Sequence, residues 1–550
     1  EAQLWNIQHG KFQGMCYYQH EDHNFMAMGI NGSIYLIEPI SGIIYDMTAL
    51  IGTLDEAVDR LHFCQCERYL VVQDGINTPV IIEDTASRLA VQAAPDSEVP
   101  TGTIMAYVQG RLFIKTEPDR FIAGNINQSA VAGSVLVFTE TQYLAGGNSM
   151  FMPVDVGQLT ALTWAHAYGE ATGDGPLLAM YERGIVSFKV SVPRMQWQDM
   201  PIMKLEPSGN GNASEYCVVR FNEDLLFMSW NGIQDFALLN TETATRHRLT
   251  NLNSEIMPFL DLETPSNRRL AMGCKFDDRL LFTVLGESVV SQWNDNGTIK
   301  DLPDYRFKGL ISLDFAPNNG ISNLGTVAKP SYDGIWTGFN PMGIASGLFD
   351  FEEMCFIMGK DDDGHNHLYR LMKTQGDDQN IANGSTQIEC RLYTQSMDFI
   401  AFDTQTPRKV AHMEKILKDA NLWISAFQGN VDINLSVCPD FSGRYNEIST
   451  IKIRAPMALT TSPFTTGYPQ CRPKEFFPAF MQHSCQPVSR RNALRGFQFQ
   501  FLLDWAGVLN INKFMISAEA QNEVPKLECG TNTEVLVDIP PDDLSYDIED

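Results

Sequence analysis

The residues best suited to hold a cation are two histidines that follow an acidic turn. Asp361 and Asp363 precede Gly364, and His365 and His367 follow it at alternate positions. Alternate residues of a strand share one face, so these imidazoles and carboxylates could converge on a cation. The run lacks the alternating acids and the later Glu of a calcium-binding loop. A plain Asp-Gly hairpin explains the same residues, and we predict no metal site and no cofactor.

Two further pairs of potential ligands lack partners in the sequence. His20 and His23 flank two acidic residues, and Cys64 and Cys66 lie two apart in a predicted strand. A zinc site needs additional ligands at a recognisable spacing, and neither segment offers them. We therefore interpret the histidines as part of a solvated loop and the cysteines as small buried side chains.

Motifs for enzymatic catalysis are missing. The chain has no G-x-S-x-G, no G-x-x-x-x-G-K-[ST] and no H-E-x-x-H. Residues 331–336, SYDGIW, fall one residue short of the Asp-box that marks blade turns in sialidases, although an Asp-Gly turn before a buried Trp explains them equally well. A glycosidase needs two carboxylates beside a cleft, and the 67 acidic residues leave such a pair open. We predict no catalytic residues and a protein that is not an enzyme.

The elements around these residues are short antiparallel strands. Residues 216–239 contain three apolar runs separated by a polar turn and by Asn231-Gly232. An Asn-Gly pair between apolar runs is the strongest short-range signal for a β-hairpin, because both residues tolerate the positive φ of a type I′ turn. The same argument applies to Asp74-Gly75. We expect positive φ at Asp74-Gly75 and at Asn231-Gly232.

This strand–turn–strand pattern recurs about six times. It is found at residues 24–45, 61–83, 103–123, 216–239, 269–285 and 353–371. Such repetition is typical of a β-propeller, in which small antiparallel sheets are arranged around an axis. A β-sandwich with many hairpins would give a similar pattern. We predict an all-β fold: a β-propeller, an additional β-sandwich-like domain and long irregular loops.

Length and charge limit the classes of function. A chain of 550 residues is too long for one compact core. It begins at Glu1 rather than Met, so we expect residues to precede it. No apolar run is long enough for a membrane helix, so we expect no stable membrane insertion. The net charge of −27 argues against a protein that grips nucleic acid by its phosphates. Scattered cysteines, 11 in all, favour synthesis in a reducing compartment.

We divide the chain into four parts at changes in its pattern. Residues 1–23 are an irregular N-terminal extension, 24–373 the propeller with loop insertions, 385–522 the sandwich-like domain and 523–550 an acidic tail. The polar, Gly- and Asn-containing residues 374–384 form the boundary. Residues 457–489 are interpreted as a Pro- and Thr-rich insertion, and residues 412–419 are the best helix candidate.

Three segments resemble a specific group of proteins. They are residues 69–84 (YLVVQDGINTPVIIED), 101–114 (TGTIMAYVQGRLFI) and 222–236 (NEDLLFMSWNGIQDF). In this order they are similar to segments of tail proteins of short-tailed bacteriophages, namely the tail nozzle or tail tubular protein B type and the DNA-stabilisation hub proteins. The likeness covers residues 69–236 and concerns turns and core positions.

The resemblance implies a structural protein of the virion. Such a protein would form a homohexameric ring at the distal tail, line or close the DNA exit channel, contact other tail proteins such as an adaptor and fibres, and let DNA pass without holding it. Its location would be the virion tail after synthesis in the host cytoplasm. Two other functions stay open, a receptor- or glycan-binding propeller and a propeller-fold glycosidase.

Overall fold

A computed structural model of the chain divides into two compact units, Ala2–Lys373 and Thr374–Asp550. The structure describes residues 2–7, 10–21, 23–47, 54–83, 90–93, 98–118, 120–127, 133–138, 149–151, 156–166, 174–190, 203–206, 211–221, 224–241, 244–251, 260, 263–286, 289–293, 299–303, 308–315, 331–336, 340–360, 365–371, 377–380, 384–394, 396–397, 414–428, 431–440, 442–453, 476–485, 494–507 and 509–520.

The described part of the first unit forms seven four-stranded antiparallel sheets, the blades. Blade 1 consists of β2 (Phe12–His20), β3 (His23–Ile30), β4 (Ser33–Glu38) and β5 (Ile43–Asp46), and blade 2 of β6 (His62–Cys66), β7 (Tyr69–Gln73), β8 (Val80–Glu83) and β9 (Ala90–Ala93). Blade 3 consists of β10 (Met105–Val108), β11 (Arg111–Glu117), β12 (Arg120–Ala123) and β13 (Ser149–Phe151), and blade 4 of β14 (Leu159–His166), β15 (Asp174–Tyr181), β16 (Ile185–Phe188) and β17 (Met203–Glu206).

The remaining three blades follow the same order of strands. Blade 5 consists of β18 (Val218–Phe221), β19 (Asp224–Ser229), β20 (Gly232–Thr241) and β21 (Ala244–Asn251). Blade 6 consists of β22 (Gly273–Phe276), β23 (Arg279–Val284), β26 (Gly309–Asp314) and β27 (Ser331–Trp336), and between β23 and β26 lies the hairpin of β24 (Val289–Trp293) and β25 (Ile299–Pro303). Blade 7 consists of β28 (Asn340–Phe349), β29 (Glu352–Lys360), β30 (Asn366–Leu371) and the N-terminal β1 (Ala2–Ile7).

The blades form a closed ring. The first strand of each blade is its inner strand, and it contacts the inner strand of the next blade or the 3-10 turn Glu215–Cys217 that leads into β18. The inner strands of blades 1 and 7, β2 and β28, contact each other. Because β1 pairs with β30, the last blade is built from both ends of this unit. This arrangement is a seven-bladed β-propeller, and it confirms the predicted fold class.

Local sequence explains the hairpins. In blade 5, β19 and β20 pair from Leu225–Phe236 to Ser229–Gly232, so the turn consists of Trp230 and Asn231, one residue earlier than predicted, and Gly232 begins β20. Gly232 has a φ of 110° and Gly75 a φ of 80°, as predicted. Asp74 and Asn231 do not have positive φ, so the prediction holds for the glycine of each pair and is wrong for the residue before it. The apolar sides of β7, β19 and β29 are buried between neighbouring blades, where burial of each side chain contributes about 1.5–3 kcal/mol.

Polar contacts also tie neighbouring blades together. The hydroxyl of Tyr17 in blade 1 donates to the Leu348 carbonyl of blade 7 at 2.9 Å. The hydroxyl of Tyr18 donates to the Arg68 carbonyl of blade 2 at 2.7 Å. The guanidinium of Arg220 in blade 5 stacks on the ring of Trp164 in blade 4 at 4.3 Å. Such contacts fix the angle between blades as well as their packing.

The second unit contains two sheets over a common core, as the predicted sandwich-like domain requires. One sheet has the order β33 (Glu389–Tyr393), β39 (Phe499–Ala506), β35 (Val431–Pro439) and β36 (Asn446–Ile453). The other has β34 (Lys415–Gln428) between β37 (Phe476–Cys485) and both β38 (Arg495–Gly496) and β40 (Leu509–Ala520). A hairpin of β31 (Asp377–Asn380) and β32 (Gly384–Gln387) precedes them. Side chains from both sheets, among them Leu422, Ile433 and Phe501, form the core.

Several details of the expected organisation are wrong. Residues 1–23 are not an irregular extension, because they contain β1 and β2. These strands contain several Gln and His residues and therefore lack an apolar strand pattern, but β1 pairs with β30 of blade 7 and β2 pairs with β3. The insertion predicted at 457–489 contains β37, which pairs with β34. The boundary predicted at 374–384, in contrast, agrees with the division of the chain after Lys373, although β31 lies within it. The helix candidate at 412–419 overlaps β34, where pairing with β40 overrides local propensity. The described helix is α1 (Pro265–Leu270), capped by Thr264.

Blade 4 is absent from the six predicted repeats. Its second and third strands meet at Glu182-Arg183-Gly184, which lacks the Asx-Gly pair used to recognise the others. The acidic tail predicted at 523–550 lies outside the described residues.

Candidate functional site

One end of the propeller axis is crossed by polar side chains. Here the chain enters the inner strands, and four residues at these entries, Arg60, His62, Glu215 and Tyr216, form the group that we call the axial cluster. Arg60 and His62 lie at the start of β6 in blade 2, and Glu215 and Tyr216 precede β18 in blade 5. Blades 2 and 5 are three positions apart in the ring, so a contact between them must cross the axis.

Two contacts join blade 2 to blade 5. The Nδ1 atom of His62 lies 2.8 Å from Oε1 of Glu215, with each side chain about one-sixth exposed. Beside this pair, the hydroxyl of Tyr216 donates a hydrogen bond to the main-chain carbonyl of Leu61. Residues 153 positions apart in the sequence thus meet at the axis.

Arg60 connects blade 2 to the opposite side of the ring. Its Nη2 atom donates to the Leu270 carbonyl ahead of blade 6 and, at 3.3 Å, to the Met342 carbonyl of blade 7. The guanidinium also lies 5.4 Å from the ring centre of Phe12 in blade 1. One side chain therefore contacts three other blades.

A second group of charged residues surrounds the cluster at the same end. Lys115 Nζ in blade 3 donates to the Leu159 carbonyl of blade 4 at 2.7 Å. Glu182, in the turn after β15, pairs with Arg269 of α1 at 2.8 Å. Helix α1 is held in turn by Arg268, whose Nη1 donates to a main-chain carbonyl of blade 5 at 2.6 Å. These contacts link blades 3 to 6 around the axis.

Burial shifts the pKa values of Arg60, Tyr216 and the neighbouring Lys115. Desolvation lowers the pKa of the Arg60 guanidinium, although the nearby Tyr216 and Glu215 oppose this effect. Desolvation raises the pKa of the Tyr216 phenol well above its usual value, with the charge of Glu215 acting in the same direction. The pKa of Lys115 is lowered, again chiefly by burial. Tyr216 thus stays neutral and acts as a hydrogen-bond donor.

The side chains beside the His62–Glu215 pair are hydrogen-bonded to the main chain. A His–Glu pair is a familiar arrangement for acid–base catalysis. In this cluster, however, the Tyr216 hydroxyl and the Arg60 Nη2 group are engaged with main-chain carbonyls. The side chains that could assist the pair in catalysis therefore act as cross-links between blades.

The predicted cation candidates at the end of blade 7 lie near each other. His365 and His367 have ring centres 6.3 Å apart, and His367 is buried in β30 next to Tyr369. Asp361 and Asp363 lie outside the described residues. Among the residues that are described, no group of three or more His, Cys, Asp or Glu side chains is arranged to hold a metal ion.

The histidines of the other pair, His20 and His23, contact different residues of this chain. His20 is buried, and its Nδ1 lies 3.4 Å from the Arg68 carbonyl. His23 contacts Glu38 Oε1 at 3.0 Å. The interpretation of this segment as a solvated loop is wrong, because both residues belong to the paired strands β2 and β3. Cys66 is buried in a hydrophobic core cluster, as predicted, whereas Cys64 is only partly buried against that cluster.

The near-match to an Asp-box is a strand rather than a turn. Residues 331–336 form β27, the outer strand of blade 6, with a register shift opposite Ser312 and Leu313. Gly334 has a φ of 99° at this irregularity, and Trp336 is partly buried. The Asp-Gly turn suggested by the sequence does not form, because β27 pairs with β26 on both sides of Asp333.

Sequence reasoning missed the axial cluster. Its members come from two segments far apart, and neither contains a catalytic or metal-binding motif. A signal was nevertheless present: Arg60 and Glu215 are charged residues placed just before apolar inner strands.

Among the described residues, no helix is long and apolar enough to cross a membrane.

Comparison with known proteins yields similarity only at the level of structure. No family profile and no curated protein matches the chain. The β-propeller domain of Myceliophteria thermophila Cps50 (Swd1) is 11% identical, with a TM-score of 0.35, over 68% of this chain and 100% of that chain. Sqt1 of Saccharomyces cerevisiae is 11% identical with a TM-score of 0.33, over 67% and 99%. BamB from Moraxella catarrhalis is 8% identical with a TM-score of 0.29, over 66% and 83%.

Proposed function

We propose that this chain is a structural, non-catalytic component of a bacteriophage tail. Copies of it would form a ring, hexameric by resemblance, at the distal end of the tail. The ring would line or close the DNA exit channel and would contact an adaptor and fibres.

The segments that carry the resemblance are framework elements of the propeller. Residues 69–84 include β7 and β8 of blade 2, and residues 101–114 include β10 and most of the neighbouring strand in blade 3. Residues 222–236 include β19 and the start of β20 in blade 5. Within the first segment, Asp74 accepts hydrogen bonds from the amides of Ile76 and Asn77 and fixes the turn. Likeness at such positions supports a common scaffold.

The observation that carries the proposal is the crossing of the propeller axis by the axial cluster. His62 and Glu215 meet there, and Arg60 reaches from blade 2 to blades 6 and 7. DNA would therefore have to pass between subunits of the ring and not through the propeller. In this arrangement each propeller is a wall element of the larger ring.

The negative net charge of the chain favours passage of DNA without tight binding. The chain carries 67 Asp and Glu against 40 Lys and Arg. Each phosphate contact made by Lys or Arg adds to sequence-independent binding of DNA. A channel through which DNA slides is better lined by neutral or acidic groups, and a strongly acidic chain provides them.

The proposal is tested on assembled particles. We expect a reconstruction of purified virions to place this chain as a closed ring at the distal tail, with a bore that lacks continuous basic bands. The chain can be identified in the reconstruction by fitting its two units separately, the seven-bladed propeller and the two-sheet domain. A trimeric side fibre formed by this chain, or a ring with continuous basic bands, would contradict the proposal.

Two assays separate the proposal from the other functions. A glycan array probed with the purified protein should give no saturable binding, whereas a receptor-binding propeller would bind a defined saccharide. Chromogenic glycosides should not be hydrolysed. A bell-shaped pH profile of hydrolysis that is lost in Glu215→Gln would instead identify the axial cluster as an active site.

A further inference from the structure

Two cysteines of neighbouring blades face each other inside the propeller. Cys274 lies in β22, the inner strand of blade 6, and Cys355 lies in β29, the second strand of blade 7. Their Sγ atoms are 3.7 Å apart, although the residues are 81 positions apart in the sequence. Both are thiols, with exposed fractions of 6% and 0%.

The surroundings favour this pair over the other thiols. A disulfide has an S–S length of about 2.05 Å, so the two sulfurs need to approach by about 1.7 Å. Strands β22 and β29 already contact each other, and the pair shares its core cluster with Met354 and Met358, whose flexible side chains can adjust. Cys64 and Cys66, in contrast, are two apart on a single strand, and a bond between them would join no separate elements.

We propose that Cys274 and Cys355 form an oxidation site that takes up a disulfide between blades 6 and 7 when the protein meets a peroxide. Cys274 is the less buried residue of the two and reacts first. Its thiolate attacks one peroxide oxygen, the O–O bond breaks, and a sulfenic acid and, after protonation, water are formed. The Cys355 sulfur then attacks the sulfenic sulfur, and the hydroxyl leaves as a second water molecule.

Atoms and electrons balance over the two reaction steps. Two thiol hydrogens and one peroxide molecule give one disulfide and two water molecules, so the sulfur pair loses the two electrons that the peroxide gains. A peroxide is small enough to reach a sulfur that is mostly buried, and a larger disulfide reagent would need the blades to separate.

The cross-link would lock the closing part of the ring. Blade 7 is the blade that the N-terminal strand β1 completes. A covalent bond from its second strand to blade 6 keeps blade 7 in place even when β1 detaches. It also restricts the unfolded chain over the 81-residue separation, which stabilises the folded state.

The test compares reduced and peroxide-treated full-length protein. Under native conditions, peroxide should produce a peptide pair joined through Cys274 and Cys355, detected by mass spectrometry after proteolysis without reduction. The oxidised protein should show an apparent Tm several degrees higher, and dithiothreitol should reverse the shift. Cys274→Ser should lose both the joined peptides and the shift, whereas Cys217→Ser, a buried thiol of blade 5, should keep both.

Three results would overturn the proposal. One is oxidation of the half-buried Cys16 or Cys390 while the peptides of Cys274 and Cys355 remain unjoined. Another is formation of the joined pair only after denaturation. The third is an unchanged or lower Tm of the cross-linked protein. If Cys274→Ser fails to fold, Cys355→Ala provides the same comparison from the other partner.

Discussion

The imidazole of His62 and the carboxylate of Glu215 lie 2.8 Å apart across the axis of the propeller, and each belongs to a different side of the ring. This pair is more enclosed than the ion pairs on the rim. Arg370 and Glu352, for example, lie 3.4 Å apart with Glu352 61% exposed.

We expect Glu215→Gln to lower the free energy of unfolding of the propeller by about 1–2 kcal/mol, because a charge-assisted hydrogen bond in a partly buried site is replaced by a weaker one. The matched control Glu352→Gln should change it by less than about 0.5 kcal/mol, because exposed pairs contribute little. Chemical denaturation of both variants measures the difference. Equal effects would show that the axial pair contributes no more than a rim pair.

Two glycines with similar φ separate backbone strain from steric contact. Gly32 has a φ of 72°, and a Cβ there would lie 2.1 Å from the Leu54 carbonyl oxygen. Gly443 has a φ of 69° and has no heavy atom within 4 Å of such a Cβ. Gly443→Ala should cost about 1 kcal/mol from the left-handed backbone alone.

Gly32→Ala should cost at least about 2 kcal/mol more than that, because main-chain atoms must move. Denaturant unfolding combined with hydrogen exchange around each turn assigns the loss to the correct unit. A similar loss in both variants would contradict the expected contact with Leu54.

Phe351 combines a left-handed backbone with nearly complete exposure. Its φ is 64°, its side chain is 94% exposed, and it follows Asp350, whose φ is 48°. Asn tolerates this backbone region better than a bulky residue, and little apolar burial is lost. Phe351→Asn should therefore stabilise the isolated protein by about 0.5–1 kcal/mol. Thermal unfolding of the variant measures this gain in stability. The control is Leu348→Asn, at a less exposed position, which should not raise the stability.

Asp74 gives the chain a defined response to acid. Burial by itself would raise the pKa of this carboxyl, but hydrogen bonds from the amides of Asp55, Ile76 and Asn77 and from the Asn77 side chain outweigh it and lower the pKa. The folded pKa thus lies below the unfolded value of about 3.9. The stabilisation is present in full above the unfolded pKa and is lost as the pH falls through the folded pKa.

Asp74→Asn should accordingly be less stable than the parent by about 1–3 kcal/mol at neutral pH. This difference should shrink as the pH falls below about 4. Urea unfolding from neutral to acidic pH measures it. A difference that stays constant down to the lowest accessible pH would show that the hydrogen bonds do not depend on the charge of Asp74.

The hairpins were predictable from sequence because their signals are local. The signals at Asn231-Gly232 and Asp74-Gly75 lie within or next to the turns themselves, and Gly232 and Gly75 have the expected positive φ. Blade 4 lacks such a pair, and β2 is recognisable only through its partner β3. For these elements the deciding interaction is with another strand.

The axial cluster was not predictable for a related reason. His62 and Glu215 come together only once the order of the blades is known, since the number of blades decides which inner strands lie opposite each other. The number of blades depends in turn on recognising blade 4 and on the pairing of β1 with β30. A single missed repeat therefore conceals the whole site.

The position of β1 also determines when the ring can close during translation. Ala2 pairs with Arg370, so a strand that leaves the ribosome early has to wait for a partner about 370 residues later. At roughly 5–20 residues per second, this delay is about 20–70 s. Throughout it β1 is an unpaired edge that other chains can capture, and crowded synthesis of many copies raises that hazard. Slower elongation late in the message would lengthen this delay and should increase aggregation of the nascent chain.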